Sequence, residues 1–165
     1  MKKSLVIICM FFAGMTLQAQ EGFNLGINFG FPTGDASDFS SFSLGIDANY
    51  LWNVGESIDV GVATGFTNAF GKKIDLGTFG EVSLDDVQFI PVAAAGRYHI
   101  TEKFRAGADL GYAIGLNDGN DGGFYYRPIV GYGITDRIEA NFSYTGISLD
   151  GLTWSTFVLG FMVNL

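Results

Sequence analysis

The sequence predicts an all-β protein: a closed antiparallel up-and-down transmembrane β-barrel of about eight strands, preceded by an N-terminal signal peptide. Three observations predict this class. Apolar and small polar residues alternate with period two along most of the chain, and the N-terminal segment is basic, then apolar, then small. Charged residues make up 16% of the chain, against a typical ~25%, whereas aromatics reach 15% and glycines number 24. Such a composition suits a surface that faces something other than water.

The first 19 residues have the order of a secretory signal peptide. Met1-Lys2-Lys3 is basic, residues 5–17 are apolar, and Ala19 is a plausible last residue before cleavage. The apolar run of about 13 residues is shorter than the ~20 that a spanning helix needs. We therefore expect a signal peptide at 1–19, export through the inner membrane, and one barrel domain at 20–165. Cys9 lies in the middle of the apolar run and leaves with the leader, which excludes disulfides and cysteine chemistry from the mature chain.

Alternation is clearest in the first strand, at residues 22–31. Five apolar side chains share one face, and glycine alternates with asparagine on the other. Successive side chains of a strand point to opposite faces, so we expect the apolar face to meet lipid and the small polar face to line the lumen. The apolar residues are Phe23, Leu25, Ile27, Phe29 and Phe31.

The same pattern recurs in seven further segments. Most of them span ~9–13 residues, and a tilted membrane strand needs ~9–11. We find no helical periodicity outside the leader. The segments are 42–52, 58–67, 88–100 (with a weaker pattern), 104–116, 124–134, 138–145 and about 153–165.

The predicted connections alternate in length. Three are short, around 53–57, 101–103 and 135–137, and four can be long, at about 32–41, 68–87, 117–123 and 146–152. Short turns at one end and longer loops at the other are typical of an outer-membrane barrel, with both termini at the short-turn, periplasmic end. Residues 98–108 align without gaps to 132–142, so the chain repeats with a period of one hairpin.

Seven ionic residues are predicted to point inward, three positive and four negative. An eight-stranded barrel is just wide enough to be filled by side chains, and buried charges must be paired. We therefore expect an interior polar network that plugs the lumen. Its members are Asp47, Asp59, Arg97, Arg105, Asp109, Arg127 and Glu139.

Aromatic residues cluster near the predicted strand ends, where rings with a polar tip favour the membrane–water boundary. They predict an interfacial girdle, although ordinary strand aromatics would give a similar pattern. The residues are Tyr50, Trp52, Tyr98, Phe104, Phe124 and Tyr132.

These features resemble the small outer-membrane β-barrel, or porin-like, family of Bacteroidetes-type bacteria. The resemblance rests on the leader ending in Gln18-Ala19-Gln20, the glycine–aromatic strands and the Tyr-x-Ile-Thr-[Glu/Asp]-[Lys/Arg] turns, and it covers essentially the whole mature chain. It implies the fold, an outer-membrane location and insertion by the barrel-assembly machinery, but no active site. Such chains often end in an aromatic residue, whereas this one ends in Leu165, with Phe161 nearby.

Candidate chemistry is sparse. His99, the single histidine, stands beside Thr101 and Glu102 and suggests the histidine of a lipid A-modifying enzyme, but we interpret it as a periplasmic turn residue. Residues 118–123 lack the spacing and the later glutamate of a calcium loop, and we interpret them as a flexible acidic surface loop. The sequence therefore predicts no enzyme, metal site or cofactor. In the 68–87 loop, the alternation could extend two strands above the membrane and expose an edge to a partner.

We expect an integral outer-membrane barrel with a structural or surface-interaction role. Its expected partners are outer-membrane lipid, lipopolysaccharide (Lys72 and Lys73 could touch its phosphates) and, through the loops, a partner outside the cell. Loss of Lys2 and Lys3 leaves seven basic and 17 acidic residues, a net charge of −10, which argues against nucleic acid. We expect a monomer. The alternatives are a narrow channel for small solutes and a soluble lipocalin-like carrier whose apolar face would point inward.

Overall fold

The computed structural model describes residues 22–75, 81–149 and 151–165. Eight long strands dominate it, with one short helix and two short strands in the connections. In chain order the elements are β1 (Phe23–Thr33), α1 (Ala36–Phe39), β2 (Ser40–Gly55), β3 (Ile58–Gly71), β4 (Lys73–Asp75), β5 (Glu81–Ser83), β6 (Val87–His99), β7 (Phe104–Gly115), β8 (Gly123–Gly133), β9 (Ile138–Leu149) and β10 (Leu152–Asn164).

The eight long strands close into one antiparallel barrel in the order β1-β10-β9-β8-β7-β6-β3-β2. Closure is made by β1 and β10, which pair from Asn24 opposite Asn164 to Thr33 opposite Ser155. Every long strand therefore has a hydrogen-bonding neighbour on both sides, as a sheet surrounded by hydrocarbon requires. The predicted closed up-and-down barrel of eight strands is confirmed.

The two faces of each strand point as the alternation predicts. In β1, Ile27 is 53% exposed on the outer surface, whereas Asn28 beside it is 4% exposed in the lumen. The outer wall is built from leucine, isoleucine, valine and aromatic side chains. The inner wall is built mainly from small residues, polar residues and ions, with a group of buried apolar side chains among them. This orientation is opposite to that of a soluble carrier with an apolar lumen.

Three connections at one end of the barrel are short, at residues 56–57, 100–103 and 134–137. We call this the short-turn end, and β1 begins and β10 ends there. At the other, loop end, three connections are longer, at 34–39, 72–86 and 116–122.

The prediction of a fourth long loop at 146–152 is wrong. Strand β9 continues to Leu149 and β10 begins at Leu152, so residues 150–151 suffice for the connection. The ladder continues because the alternation does: Ile147 is buried in the lumen opposite Trp154, and Ser148 is exposed. The inward apolar pair of Ile147 and Trp154 stabilises the strand pairing beyond the point at which the sequence predicts a loop.

The loop end carries a small layer of added structure. Helix α1 follows β1, and β4 pairs with β5 as a separate two-stranded sheet, where the sequence predicted an extension of β3 and β6. The Lys72 N–H donates to the Phe39 carbonyl at 2.8 Å, which ties the 72–86 connection to the end of α1. Within the described ranges, no helix is long and apolar enough to cross a membrane.

Asp86 fastens the 72–86 connection to the barrel rim. Its carboxylate accepts hydrogen bonds from the Asn68 side-chain amide at 2.9 Å and from the Gly71 N–H at 3.0 Å. These two donors, Asn68 first, hold the pKa of Asp86 below its usual range. A carboxyl group with a lowered pKa stabilises the fold above its ordinary pKa and loses that contribution as the pH falls through the lowered value.

We predict that Asp86→Ala exposes the Gly71 amide. Hydrogen exchange of the Gly71 N–H, corrected for intrinsic rate, should be severalfold faster at pH 7 in the variant, because the N–H loses its acceptor. In the unmodified chain the same protection should be lost as the pH falls through the lowered pKa of Asp86. Asp85→Ala, which changes the exposed neighbouring carboxylate, serves as the control and should leave Gly71 unchanged. Equal protection in the Asp86 and Asp85 variants would contradict the fastening role.

Candidate functional site in the lumen

The seven ionic residues singled out in the sequence lie on inward-facing positions of six strands. Asp47 is on β2, Asp59 on β3, Arg97 on β6, Arg127 on β8 and Glu139 on β9, with Arg105 and Asp109 on β7. Six of the seven form three arginine–carboxylate ion pairs, and the seventh, Asp59, contacts the imidazole of one further residue, His99. Their positions follow from period two: each occupies the same face of its strand as the neighbouring small residues.

The ion pair between Asp47 and Arg127 crosses the lumen. Strands β2 and β8 lie four positions apart in a ring of eight, so they face each other across the barrel. Arg127 Nη2 lies 2.9 Å from Asp47 Oδ2, and Arg127 Nε donates to Ser143 Oγ at 2.9 Å. Both charged side chains are at least 90% buried. We call this pair the polar bar.

Two other ion pairs line the wall on the side of β7. Arg97 Nη1 lies 2.7 Å from Asp109 Oδ1 and also donates to the Gly96 carbonyl at 2.8 Å. Arg105 Nε donates to Glu139 Oε2 at 2.6 Å, which joins β7 to β9 across β8. Each pair neutralises a charge that would be costly if left alone. The Arg105–Glu139 contact is in addition a hydrogen bond between charged groups, the stronger kind.

His99 is the last residue of β6, and its interpretation as a turn residue is wrong. Its Nε2 lies 2.6 Å from Asp59 Oδ2, while Asn53 donates to Asp59 Oδ1 at 3.1 Å. His99 belongs to the strand, since it pairs with Arg105 across the β6–β7 hairpin. The seven predicted ionic residues comprise four carboxylates but only three arginines. His99 supplies the missing nitrogen partner, which it gives to Asp59.

The loop half of the lumen is filled by apolar side chains. The rings of Phe89 on β6 and Trp154 on β10 lie 5.9 Å apart, and these strands also face each other across the barrel. We call this pair the apolar bar. Around it pack buried side chains from α1, from β6 itself and from four further strands, and Phe39 of α1 stacks on Trp154 at 6.4 Å. The cluster comprises Ala36, Ala69, Ala93, Ala113, Tyr125 and Ile147.

The apolar bar is absent from the sequence-based prediction, although a signal for it exists. Trp154 has the same parity as Thr156 and Val158, and therefore belongs to the inner face of β10. A bulky aromatic on an otherwise small polar face marks a lumen plug. That Phe89 would be its partner depends on the stagger of the strands around the closed barrel, which local alternation does not encode.

Between the two bars lies a small chamber of about 30 Å³. Polar groups line it on several sides, among them Asn28, Ser43, Thr67, Thr145 and Thr156. The barrel interior thus consists of a polar bar, a chamber and an apolar bar, stacked along the axis. Within the described ranges, no group of three His, Cys, Asp or Glu side chains is placed to hold a metal ion.

Glycine makes room for the ions at the short-turn end. A Cβ added to Gly131 would lie 2.5 Å from the carboxyl carbon of Glu139, inside contact distance. The carboxylate of Glu139 therefore occupies the space that any other residue at position 131 would fill. The many glycines of the inner face are explained in part by this packing of small residues against long charged ones.

We predict that Asp47→Ala lowers the free energy of unfolding by ~3–5 kcal/mol, because it leaves the Arg127 guanidinium buried without a partner. The double variant Asp47→Leu/Arg127→Leu should recover much of the loss, since no buried charge remains. Urea unfolding in lipid vesicles, followed by heat-modifiable gel migration, measures both. Glu56→Ala, at an exposed turn carboxylate, is the control and should match the unmodified chain. A single variant as stable as this control would show that the polar bar contributes nothing.

Comparison with known proteins agrees with this architecture. The family model described as "Outer membrane protein beta-barrel domain" matches residues 4–164. No curated protein matches the sequence.

Several solved structures share the fold at low sequence identity. The attachment invasion locus protein Ail of Yersinia pestis superposes with a TM-score of 0.61 at 17% identity, covering 87% of this chain and 99% of that one. Neisserial surface protein A gives a TM-score of 0.52 at 16% identity, covering 87% and 97%. A de novo designed transmembrane β-barrel gives 0.55 at 9%, covering 90% and 98%. At these sequence identities, the similarity shows a shared backbone fold.

Proposed function

The chain belongs to the outer membrane protein β-barrel domain family and is an integral protein of the outer membrane; on that premise we propose that it serves there as a sealed wall element that supports the envelope and displays its loops outside the cell. The single observation that carries the proposal is the polar bar between Asp47 and Arg127, which joins opposite walls of the lumen. A barrel blocked in this way offers other molecules its outer wall and its two ends.

The outer wall supports a role in lipid. Its side chains are large and apolar, with aromatic rings near both ends. At the short-turn end Tyr50 packs edge-on against Trp52 at 4.8 Å, and at mid-wall Phe142 stacks on Phe157 at 5.8 Å. Tyr98 and Tyr132 are about half exposed at the short-turn end, where an aromatic girdle would meet the membrane boundary.

The charges at the loop end support contact with lipopolysaccharide. Aspartates populate the 34–39 and 116–122 connections, whereas Lys72 and Lys73 form a basic pair at the start of the 72–86 connection. A basic pair at the outer rim matches the phosphate groups of lipopolysaccharide in charge. The two-stranded β4–β5 sheet beside it offers backbone edges to a partner outside the cell.

Export and assembly complete the proposal. The signal peptide at 1–19 lies outside the described residues, and with it the start of the barrel domain at residue 20 stays a prediction. Insertion by the barrel-assembly machinery, a monomeric state and an origin in Bacteroidetes-type bacteria likewise stay predictions from the sequence. The short-turn end, which holds β1's first residue and β10's last, would face the periplasm.

The competing function is a narrow channel for small solutes. A channel needs a continuous water path, and the polar and apolar bars each cross the lumen at a different height. The position of His99 argues against an enzymatic role. The residue lies at the short-turn end, away from the outer-leaflet lipid that a lipid A-modifying enzyme would reach.

We predict that the purified protein shows no steady conductance steps in planar bilayers. Removing both bars together, with Asp47→Ala, Arg127→Ala, Phe89→Ala and Trp154→Ala in one chain, should produce measurable steps, because the contacts that cross the lumen at both heights are then lost. Retained heat-modifiable migration confirms that this variant is folded. Trp52→Ala, on the outer wall, is the matched control and should stay silent. Steady steps from the unmodified protein would refute the sealed-wall proposal in favour of the channel.

A further inference from the structure

Two of the three short turns repeat the same sequence and the same geometry. Residues 100–103 read Ile-Thr-Glu-Lys, and residues 134–137 read Ile-Thr-Asp-Arg. Thr101 Oγ1 accepts hydrogen bonds from the N–H groups two and three residues later, at 3.3 and 3.0 Å. Thr135 Oγ1 accepts the equivalent two bonds at the same distances. The threonine therefore fixes the backbone of each turn, and the shape of the turn does not depend on the acidic and basic side chains that follow.

Those four charged side chains form no ion pair within the described ranges. All four residues are exposed. In the lumen, by contrast, each arginine has a carboxylate partner. The turns therefore present two acids and two bases to whatever surrounds the short-turn end. The residues are Glu102 and Lys103 in the first turn, and Asp136 and Arg137 in the second.

The two turns lie side by side. They end neighbouring hairpins, since β7 of the first hairpin pairs with β8 of the second. The Gly133 N–H donates to the Lys103 carbonyl oxygen at 2.7 Å, which ties the second hairpin directly to the first turn. Strands of a sheet lie ~4.8 Å apart, so the centres of the two turns are ~10 Å from each other. Side chains from both turns can thus reach one ligand.

A cavity of about 280 Å³ runs from the lumen mouth to these two turns. All four charged turn residues line it. Its other charged groups, Arg105, Glu139 and His99, are already paired in the lumen wall. Ile134 and Ile138 of the outer wall also contribute to the lining, so the cavity reaches the lipid-facing rim of the barrel.

Outer-wall side chains next to both turns mark the membrane boundary. Tyr98 and Tyr132 are 54% and 53% exposed, and Ile100 and Ile134, two residues further along each hairpin, are both 51% exposed. Tyrosine favours the level at which hydrocarbon meets the headgroups. The acid and the base follow each isoleucine by two and three residues, which places them at the level of the lipid headgroups.

The alternation of charge decides which headgroup fits this rim. A headgroup with negative charge alone would meet Glu102 and Asp136, and one with positive charge alone would meet Lys103 and Arg137. A headgroup that carries an ammonium group beside its phosphate satisfies both kinds of side chain. Its phosphate oxygens accept hydrogen bonds from the bases, and its ammonium N–H groups donate to the carboxylates.

We propose that the two turns form a binding site for a zwitterionic phospholipid with a primary ammonium headgroup, phosphatidylethanolamine, in the periplasmic leaflet. Lys103 and Arg137 bind the phosphate, and Glu102 and Asp136 bind the ammonium group. The acyl chains lie along the outer wall beside the two tyrosines. The proposal rests on the proposed orientation of the barrel, in which the short-turn end faces the periplasm, and it names the lipid that is held there.

The first test measures lipid preference. The full chain is placed in nanodiscs of phosphatidylethanolamine and phosphatidylcholine in equal parts, extracted in mild detergent and analysed by native mass spectrometry for retained lipid. Both headgroups are zwitterionic, but only phosphatidylethanolamine has ammonium N–H donors, so we expect it to be retained severalfold more. Equal retention would overturn the proposal, and so would a preference for anionic phosphatidylglycerol over phosphatidylethanolamine in the corresponding mixture.

The second test assigns the preference to the turns. Lys103→Gln/Arg137→Gln and Glu102→Gln/Asp136→Asn should each bring the retention ratio close to one, whereas the charge-conserving Lys103→Arg/Arg137→Lys should keep it. Glu56→Gln is the control, because the third short turn has an acid without a neighbouring base. Full preference in either neutralised variant, with heat-modifiable migration showing that it is folded, would overturn the proposal. Should these variants fail to fold, the retention ratio of the unmodified chain decides.

Both leaflets of the nanodisc contain the same lipids, so the result does not depend on the orientation or the seal of the barrel. Conductance steps together with an intact lipid preference would refute the sealed-wall proposal alone. A silent barrel without lipid preference would refute the lipid site alone.

Discussion

The polar bar is the interaction on which the rest of the interior depends. A barrel of eight strands brings opposite walls so close that Arg127 of β8 reaches Asp47 of β2 with an N–O distance of 2.9 Å. Neither charge has access to water in quantity, so each requires the other. The neighbouring residues follow from this requirement: Ser143 fixes the guanidinium group through Nε, and Gly65 leaves space beside Asp47, since a Cβ there would lie 3.1 Å from Asp47 Oδ1.

The two ends of the lumen are filled by different means. Toward the short turns, ions and amides form local pairs, such as Arg105 with Glu139 and Asn24 with Asn49. Toward the loops, Phe89 and Trp154 meet in an apolar cluster that α1 covers. Apolar packing closes the end where the loops leave the barrel, and charge pairing holds the middle. Function is thereby shifted from the lumen to the outer wall and the loops.

The sequence predicts the fold well because its main signal is local. Period two along β1, β7 and β8 distinguishes the lipid face from the lumen face without knowledge of any neighbour, and low charge with short turns orients the two faces. Strand ends are harder to predict, since the ladder continues beyond the lipid-facing pattern. For that reason the pattern predicts a loop at Ile147 and a turn at His99, and it gives Trp154 no role.

The interior is predictable as a list of residues but not as a set of pairs. The inward parity of Asp47 and Arg127 can be read along each strand, whereas their contact depends on closure and stagger of the whole ring. The same limit applies to the apolar bar.

Solid-state NMR of the protein in lipid bilayers tests the central claim most directly, through a ¹³C–¹⁵N distance measurement between the Asp47 carboxyl carbon and the Arg127 guanidinium nitrogens. Our account predicts strong dipolar coupling between them, as expected for Nη2 at 2.9 Å from Oδ2. The absence of this coupling, in a sample whose Arg97–Asp109 pair does show it, would mean that the polar bar does not join β2 to β8 and would contradict the central claim.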